Sequence, residues 1–70
     1  MEKVSAHITG TVTRIEKKPG DRVSPGDVVV ILESMKMEMP VEAAGPGQVK
    51  EIRCAEGQPV SEGDVLAVIE

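Results

Sequence analysis

The residue with the clearest chemical potential lies at the centre of the chain, where it reads "ESMKME". Lys36 stands there between Met35 and Met37, shortly after the β-rich run "DVVVIL". A lysine amine forms stable amides, and an amine that projects from a rigid support can be reached by an enzyme from most directions. Amide formation also removes the positive charge. These properties make Lys36 a candidate for covalent attachment of a prosthetic group.

The segments that flank the lysine predict a β-hairpin. "VVVILES" and "MEMPVEA" read as two strands, and "SMKM" reads as their connection. A two-residue type I′ turn needs positive φ at both central residues, which is why Asn-Gly and Asp-Gly predominate there. Met35 and Lys36 suit that geometry poorly, at about 1 kcal/mol each, and Glu33 and Glu38 would add like-charge pairing if they lie opposite each other. Several local rules broken at one point indicate selection for something other than folding.

An internal repeat places this hairpin at a special position in the chain. Residues 10–33 match residues 47–70 without a gap at an offset of 37, which predicts two halves packed about a pseudo-two-fold axis. The only residues outside the two copies, 1–33 and 38–70, are those of "SMKM", from Ser34 to Met37. The ten identical pairs are Gly10/Gly47, Val12/Val49, Ile15/Ile52, Gly20/Gly57, Val23/Val60, Ser24/Ser61, Gly26/Gly63, Asp27/Asp64, Val28/Val65 and Glu33/Glu70.

Lysine and methionine side chains also have ordinary structural roles. A surface lysine is usually a solvated charge, and methionines usually fill gaps in a core. That interpretation accounts for Met39. It accounts less well for Lys36, which lies at the unduplicated midpoint of a repeated chain.

The rest of the chain predicts an all-β fold. "GTVTRIE" and "GQVKEIR" alternate as half-buried strands do, "DVVVIL" and "DVLAVI" are suited to buried strands, and Gly-containing turns separate them. We expect about eight short strands in two small sheets, forming a flattened barrel or sandwich in a single domain over residues 1–70. The core has to come from aliphatic residues, because the chain contains no Phe, Tyr or Trp.

Composition argues against several functional classes. The net charge is −4, with scattered basic residues and no aromatic side chains, which argues against a nucleic-acid partner. No apolar run approaches membrane-spanning length and "MEKVSAH" does not resemble a secretion signal, so we expect a cytosolic protein. Cys54 and His7 each stand alone, and we assign neither of them a catalytic or metal-binding role. The absence of a triad, dyad or metal cluster predicts that the domain is not an enzyme.

With these features together, the sequence resembles the biotinyl domain family, the biotin carboxyl carrier domains of biotin-dependent carboxylases. The mark of that family is Ala-Met-Lys-Met preceded by Glu. Here it stands as Glu33-Ser34-Met35-Lys36-Met37, with Ser in place of Ala at position 34. The resemblance extends over "PGDRVSPGDVVVILE", "GQVKEI" and "EGQPVSEGDVLAVIE".

The resemblance implies a fold, a cofactor and partners. It implies two four-stranded antiparallel sheets with pseudo-two-fold symmetry, without the protruding thumb of some bacterial carriers, and biotin attached to Lys36. The motif residues Glu33, Ser34, Met35 and Met37 would surround the attachment site. The implied partners are biotin protein ligase, which biotinylates the lysine, a biotin carboxylase and a carboxyltransferase. We expect the isolated domain to be a monomer.

Two alternatives remain open. Lipoyl domains share the fold and the symmetry, but they usually carry Asp-Lys-Ala at the tip, so Met35 and Met37 favour biotin over lipoate. A β-sandwich interaction module would instead bind a partner through its methionines and would gain no mass beside an active biotin ligase.

Overall fold

The protein is described by a computed structural model that covers all 70 residues and consists of strands, turns and loops without any helix. No helix is therefore available that could cross a membrane. The number of strands agrees with the prediction from the sequence. In chain order they are β1 (Glu2–Ser5), β2 (Gly10–Ile15), β3 (Arg22–Val23), β4 (Val28–Ser34), β5 (Met37–Glu42), β6 (Gly47–Ile52), β7 (Pro59–Val60) and β8 (Val65–Ile69).

The strands form two four-stranded antiparallel sheets, which confirms the predicted fold class. One sheet has the order β1-β8-β6-β3 and the other the order β5-β4-β2-β7. Each sheet takes two strands from each half of the repeat, so neither half forms a sheet by itself. The two sheets face each other as a flattened barrel with principal extents of 31 × 19 × 18 Å.

The repeat seen in the sequence is a pseudo-two-fold symmetry in the structure. Strands β6 and β7 begin and end 37 residues after β2 and β3. Hydrogen bonds between the halves are reciprocal: the Ala6 N–H donates to the Asp64 carbonyl at 2.8 Å, and the Ala43 N–H donates to the Asp27 carbonyl at 2.9 Å. The second donor, Ala43, lies 37 residues after Ala6, and the second acceptor, Asp27, lies 37 residues before Asp64. Exchange of the two halves about a two-fold axis requires this relation.

The core between the sheets is aliphatic throughout. Every buried residue is hydrophobic, and no polar or charged residue is buried. In place of aromatic side chains, the core contains mainly β-branched residues, which pack well on pleated surfaces. One continuous cluster contains Val4, Ala6, Val12, Val23, Val29, Val30, Leu32, Val41, Ala43, Val49, Val60, Leu66, Ala67 and Ile69.

The turns that lead into the long buried strands are built alike in both halves. In "SPGD", Gly26 adopts φ of 89° and the Asp27 carboxylate accepts the Ser24 N–H at 2.8 Å. In "SEGD", Gly63 adopts φ of 94° and the Asp64 carboxylate accepts the Ser61 N–H at 2.9 Å. An aspartate that accepts a backbone N–H three residues earlier closes such a turn, and glycine supplies the positive φ. The turns predicted here are confirmed.

Candidate functional site

Strands β4 and β5 form a tight hairpin with Met35 and Lys36 at its tip. Ser34 lies opposite Met37 in the last pair of the ladder, so the connection consists of two residues. Met35 has φ of 53° and Lys36 has φ of 66°, and they are the only residues other than glycine with positive φ. Positive φ at both central residues is the property of the type I′ turn, one of the primed turns that a two-residue hairpin connection favours. The turn therefore places two residues with large side chains in the left-handed region, at about 1 kcal/mol each.

Two carboxylates lie opposite each other at the base of the tip. Glu33 pairs with Glu38 in the β4–β5 ladder, one position below the pair formed by Ser34 and Met37. Both glutamates are exposed, so water screens their repulsion. The opposed pair expected from the sequence is present, and it gives the hairpin an acidic base beneath its only lysine.

The tip is exposed, while the strand that carries it is firmly held. Met35 is 92% exposed and Met37 is 60% exposed, and Lys36 is exposed and forms no side-chain hydrogen bond or ion pair. Three residues of β4, Val29, Val30 and Leu32, are fully buried at the same time. Strand β4 therefore provides a rigid support, and the amine projects freely from its end.

Along β5, burial increases from the tip toward the core. Met37 is largely exposed, Met39 is half-buried opposite Leu32, and Val41 is 5% exposed opposite Val30. Met39 packs at the margin of the barrel and is not one of the residues of the core cluster. The predicted motif residues from Glu33 to Met37 thus lie together at one end of the molecule, beyond the packed interior.

Cys54 and His7, the remaining candidates for chemistry, differ in their surroundings. Cys54 is half-buried against the core, and this burial raises the pKa of its thiol because it disfavours the charged thiolate. His7 is exposed in the loop between β1 and β2. No group of three or more His, Cys, Asp or Glu residues is arranged to hold a metal ion.

One residue at this site was not singled out by sequence reasoning. Gly10, the first residue of β2, lies directly against the backbone of β4 at Glu33. The sequence showed this glycine only as one member of the repeat. A glycine at the start of a predicted strand was the available signal, since glycine in a strand often marks close approach of another backbone.

Chemically, the site offers a primary amine that is exposed, has no bonding partner, and is carried on the turn at the end of a buried strand. Such an amine fits a cofactor that is attached through an amide. The attached group would lie outside the barrel, because the amine points away from the core.

Comparison with known proteins connects this arrangement to one family. The family model described as "Biotin-requiring enzyme" matches residues 2–69. A biotin/lipoyl attachment protein of Bacillus subtilis is 48% identical over 63 residues, which make up 90% of this chain and 86% of the relative. A biotinylated protein TB7.3 homolog of Mycobacterium leprae is 43% identical over 68 residues, or 97% of this chain and 96% of the relative.

Solved structures show the same fold. The urea carboxylase of Kluyveromyces lactis superimposes with a TM-score of 0.94 and 39% identity over 99% of this chain, which spans only 6% of that protein. The lipoyl domain of the 2-oxoglutarate dehydrogenase complex from Azotobacter vinelandii superimposes with a TM-score of 0.74 and 35% identity, over 89% of this chain and 78% of the domain.

Proposed function

The chain belongs to the biotin- and lipoyl-attachment family, and from that membership we propose that it is a biotin carboxyl carrier with biotin attached to Lys36. The observation that carries the proposal is the position of Lys36, on a two-residue turn with positive φ between two exposed methionines. Attachment there would place the cofactor on a flexible lysine stem above a rigid hairpin.

Attachment would proceed by attack of the Lys36 amine on an activated acyl group. A biotin protein ligase supplies the carboxyl group of biotin as its adenylate, the amine forms the amide, and AMP leaves. The amine must lose a proton to attack, so the ligase has to supply the base. Lys36 has no hydrogen-bond or ion-pair partner of its own that would have to be displaced first.

The attached biotin would accept a carboxyl group at a biotin carboxylase site and deliver it at a carboxyltransferase site. The domain's own contribution is to hold and present the cofactor, and a tether raises its local concentration at each site without any catalytic residue from the carrier. The carboxylase similarity supports such partners, since this chain corresponds to a small part of the urea carboxylase. The domain is accordingly a carrier, and the catalytic steps belong to its partners.

The second candidate is a lipoyl carrier. It is favoured by the fold shared with the lipoyl domain from Azotobacter vinelandii. Met35 and Met37 favour biotin, because they give the tip the Met-Lys-Met sequence that resembles biotinyl domains, where lipoyl domains usually carry Asp-Lys-Ala.

The test is the intact mass of the protein after co-expression with biotin ligase. We expect one biotinyl group per chain and streptavidin binding for the native sequence. Lys36→Arg should remain folded and gain no mass, because arginine keeps the charge but does not form the amide. Lys50→Arg is the matched control: Lys50 is an exposed strand residue away from the tip, and its replacement should leave modification unchanged. Biotinylation of the Lys36→Arg variant would rule out the assignment.

A further inference from the structure

Gly10 makes a close approach to the base of the hairpin that no other residue type permits. A Cβ atom at this position would lie 2.5 Å from the Glu33 carbonyl oxygen and 3.5 Å from the Ser34 Cβ. Real Cβ atoms essentially never lie within 3.0 Å of another heavy atom to which they are not bonded. Gly10 is not among the glycines with positive φ, so the position requires glycine for space and not for its backbone conformation.

The surroundings decide which part of the structure would move if a side chain were added. Strand β2 lies between β4 and β7, and Gly10 and Thr11 pair with Val60 and Pro59 on the side away from the hairpin. Pairing with β7 therefore restrains β2 on the side opposite β4. Strand β5 is the edge strand of the same sheet, so the outer end of the β4–β5 hairpin has no neighbour beyond it.

From this geometry we propose that Gly10 is a positioning residue for Lys36, an inference that rests on the proposed attachment of biotin there. Because Gly10 has no side chain, the Glu33 carbonyl can lie close to β2. This contact fixes how far the turn at Lys36, three residues after Glu33, projects from the sheet and in which direction. A methyl group at position 10 would push the end of β4 outward together with the lysine. The lower part of β4 would stay in place because Val30 and Leu32 are fully buried.

The pseudo-symmetry provides a matched control within the same molecule. Gly47 is the equivalent of Gly10, and a Cβ there would lie 2.6 Å from Ile69 Cγ2 and 2.7 Å from the Glu70 carbonyl oxygen. The close approach is thus repeated in the second half of the repeat, at Glu70 instead of Glu33 and away from Lys36. Replacement of either glycine by alanine should strain the barrel, against Glu33 at position 10 and against Ile69 and Glu70 at position 47, but only the first should disturb the lysine.

The experiment compares Gly10→Ala with Gly47→Ala in the 70-residue protein, well below the unfolding midpoints of both variants. We expect both midpoints to be reduced. We also expect kcat/KM for biotin transfer by the ligase to fall about tenfold or more for Gly10→Ala, because small misplacement of a reacting group has effects of that order. Gly47→Ala should retain the native rate. Amide chemical shifts of residues 33–38 provide a second readout, and they should change in Gly10→Ala and not in Gly47→Ala.

The possible results separate this inference from the proposed function. Native protein that is never biotinylated would refute the proposed function, and the amide shifts alone would then decide whether Gly10 positions the tip. Equal rates and unchanged tip shifts in folded Gly10→Ala would overturn the inference. A Gly10→Ala variant that stays unfolded even in an osmolyte that favours compact states would also overturn it, because Gly10 would then be a requirement of the fold and not of the tip.

Discussion

At the scale of single residues, the side chains beside Lys36 are more exposed than folding alone would favour. Only three large hydrophobic residues are exposed in this protein, namely Met1, Met35 and Met37, and two of them flank the lysine. Single exposed apolar side chains are common on protein surfaces, but these two lie on either side of the exposed lysine. We propose that a modifying enzyme distinguishes this tip from others through Met35 and Met37.

The first prediction exchanges these flanking residues. Met35→Asp combined with Met37→Ala would give the tip the Asp-Lys-Ala sequence of lipoyl domains. We expect biotin transfer to fall and lipoate transfer to rise, since a ligase selects by favourable contacts and by rejection of unsuitable neighbours. Intact mass after incubation with each ligase measures both outcomes. Met35→Leu with Met37→Leu, which keeps apolar side chains, is the control and should still be biotinylated. Unchanged biotin loading of the Asp-Lys-Ala form would show that the methionines do not discriminate.

The second prediction concerns Cys54, whose pKa is raised by burial. A thiol with a raised pKa carries less thiolate at a given pH, and only the thiolate reacts with iodoacetamide. Alkylation at pH 8 should therefore be slower in the folded protein than in urea. The same shift means that the folded state binds this proton more tightly. Its contribution to stability is complete below the pKa of the unfolded thiol and is lost as the pH rises through the folded pKa. Equal alkylation rates in both states would contradict it, and no other cysteine contributes.

At the scale of elements, the hairpin combines a stable strand with an unfavourable turn. The buried residues of β4 hold the hairpin in place, and the two positive φ values at Met35 and Lys36 oppose it. Such strain persists where the surrounding structure over-determines the conformation, and it occurs often at functional sites.

The third prediction removes that strain. Replacement of Met35-Lys36 by Asn-Gly should raise the free energy of unfolding by about 1 kcal/mol, because both residues accept positive φ more readily. Urea unfolding measures the change. Replacement by Ala-Ala removes the same side chains but keeps both Cβ atoms, so it should give no comparable gain. A loss of stability in the Asn-Gly form would show that the strain argument is wrong.

The sequence predicted those parts of the fold that depend on local chemistry. Strands β2, β4, β6 and β8 followed from alternation and β-branched runs, and the turns at Gly26 and Gly63 followed from the need for positive φ. The short strands β1, β3 and β7 were expected only as part of the total number and were not located. The position of Lys36 followed from the gap in the repeat. The sequence did not show that each sheet draws strands from both halves, because identical residues 37 positions apart fit pairing within a half as well as pairing between halves. Nor did it show the contact of Gly10 with Glu33, since that distance depends on how β2 and β4 lie against each other.

At the scale of the whole molecule, the symmetry of the framework contrasts with the single tip. The reciprocal bonds of Ala6 and Ala43 tie the halves together equally, and the chain has only one hairpin that ends in a lysine. In the proposed function, this symmetric framework presents the single group attached to Lys36. A carrier that visits two active sites needs small and transient contacts with each, because a large permanent interface would prevent exchange. The surface fits that need, since it has no Trp or Tyr to act as a strong anchor.

The last prediction tests this role directly. The biotinylated protein, added to a separate biotin carboxylase and carboxyltransferase from its own source, should support carboxylation of an acyl-CoA or keto acid in the presence of ATP and bicarbonate. Incorporation of labelled bicarbonate into the acceptor measures the reaction. The Lys36→Arg form should give only background, because the framework is intact but carries no cofactor. If the biotinylated protein stays folded and yet fails with every such pair, the carboxyl-carrier role is excluded, although biotin is still attached. The tip would then present its cofactor to some other partner.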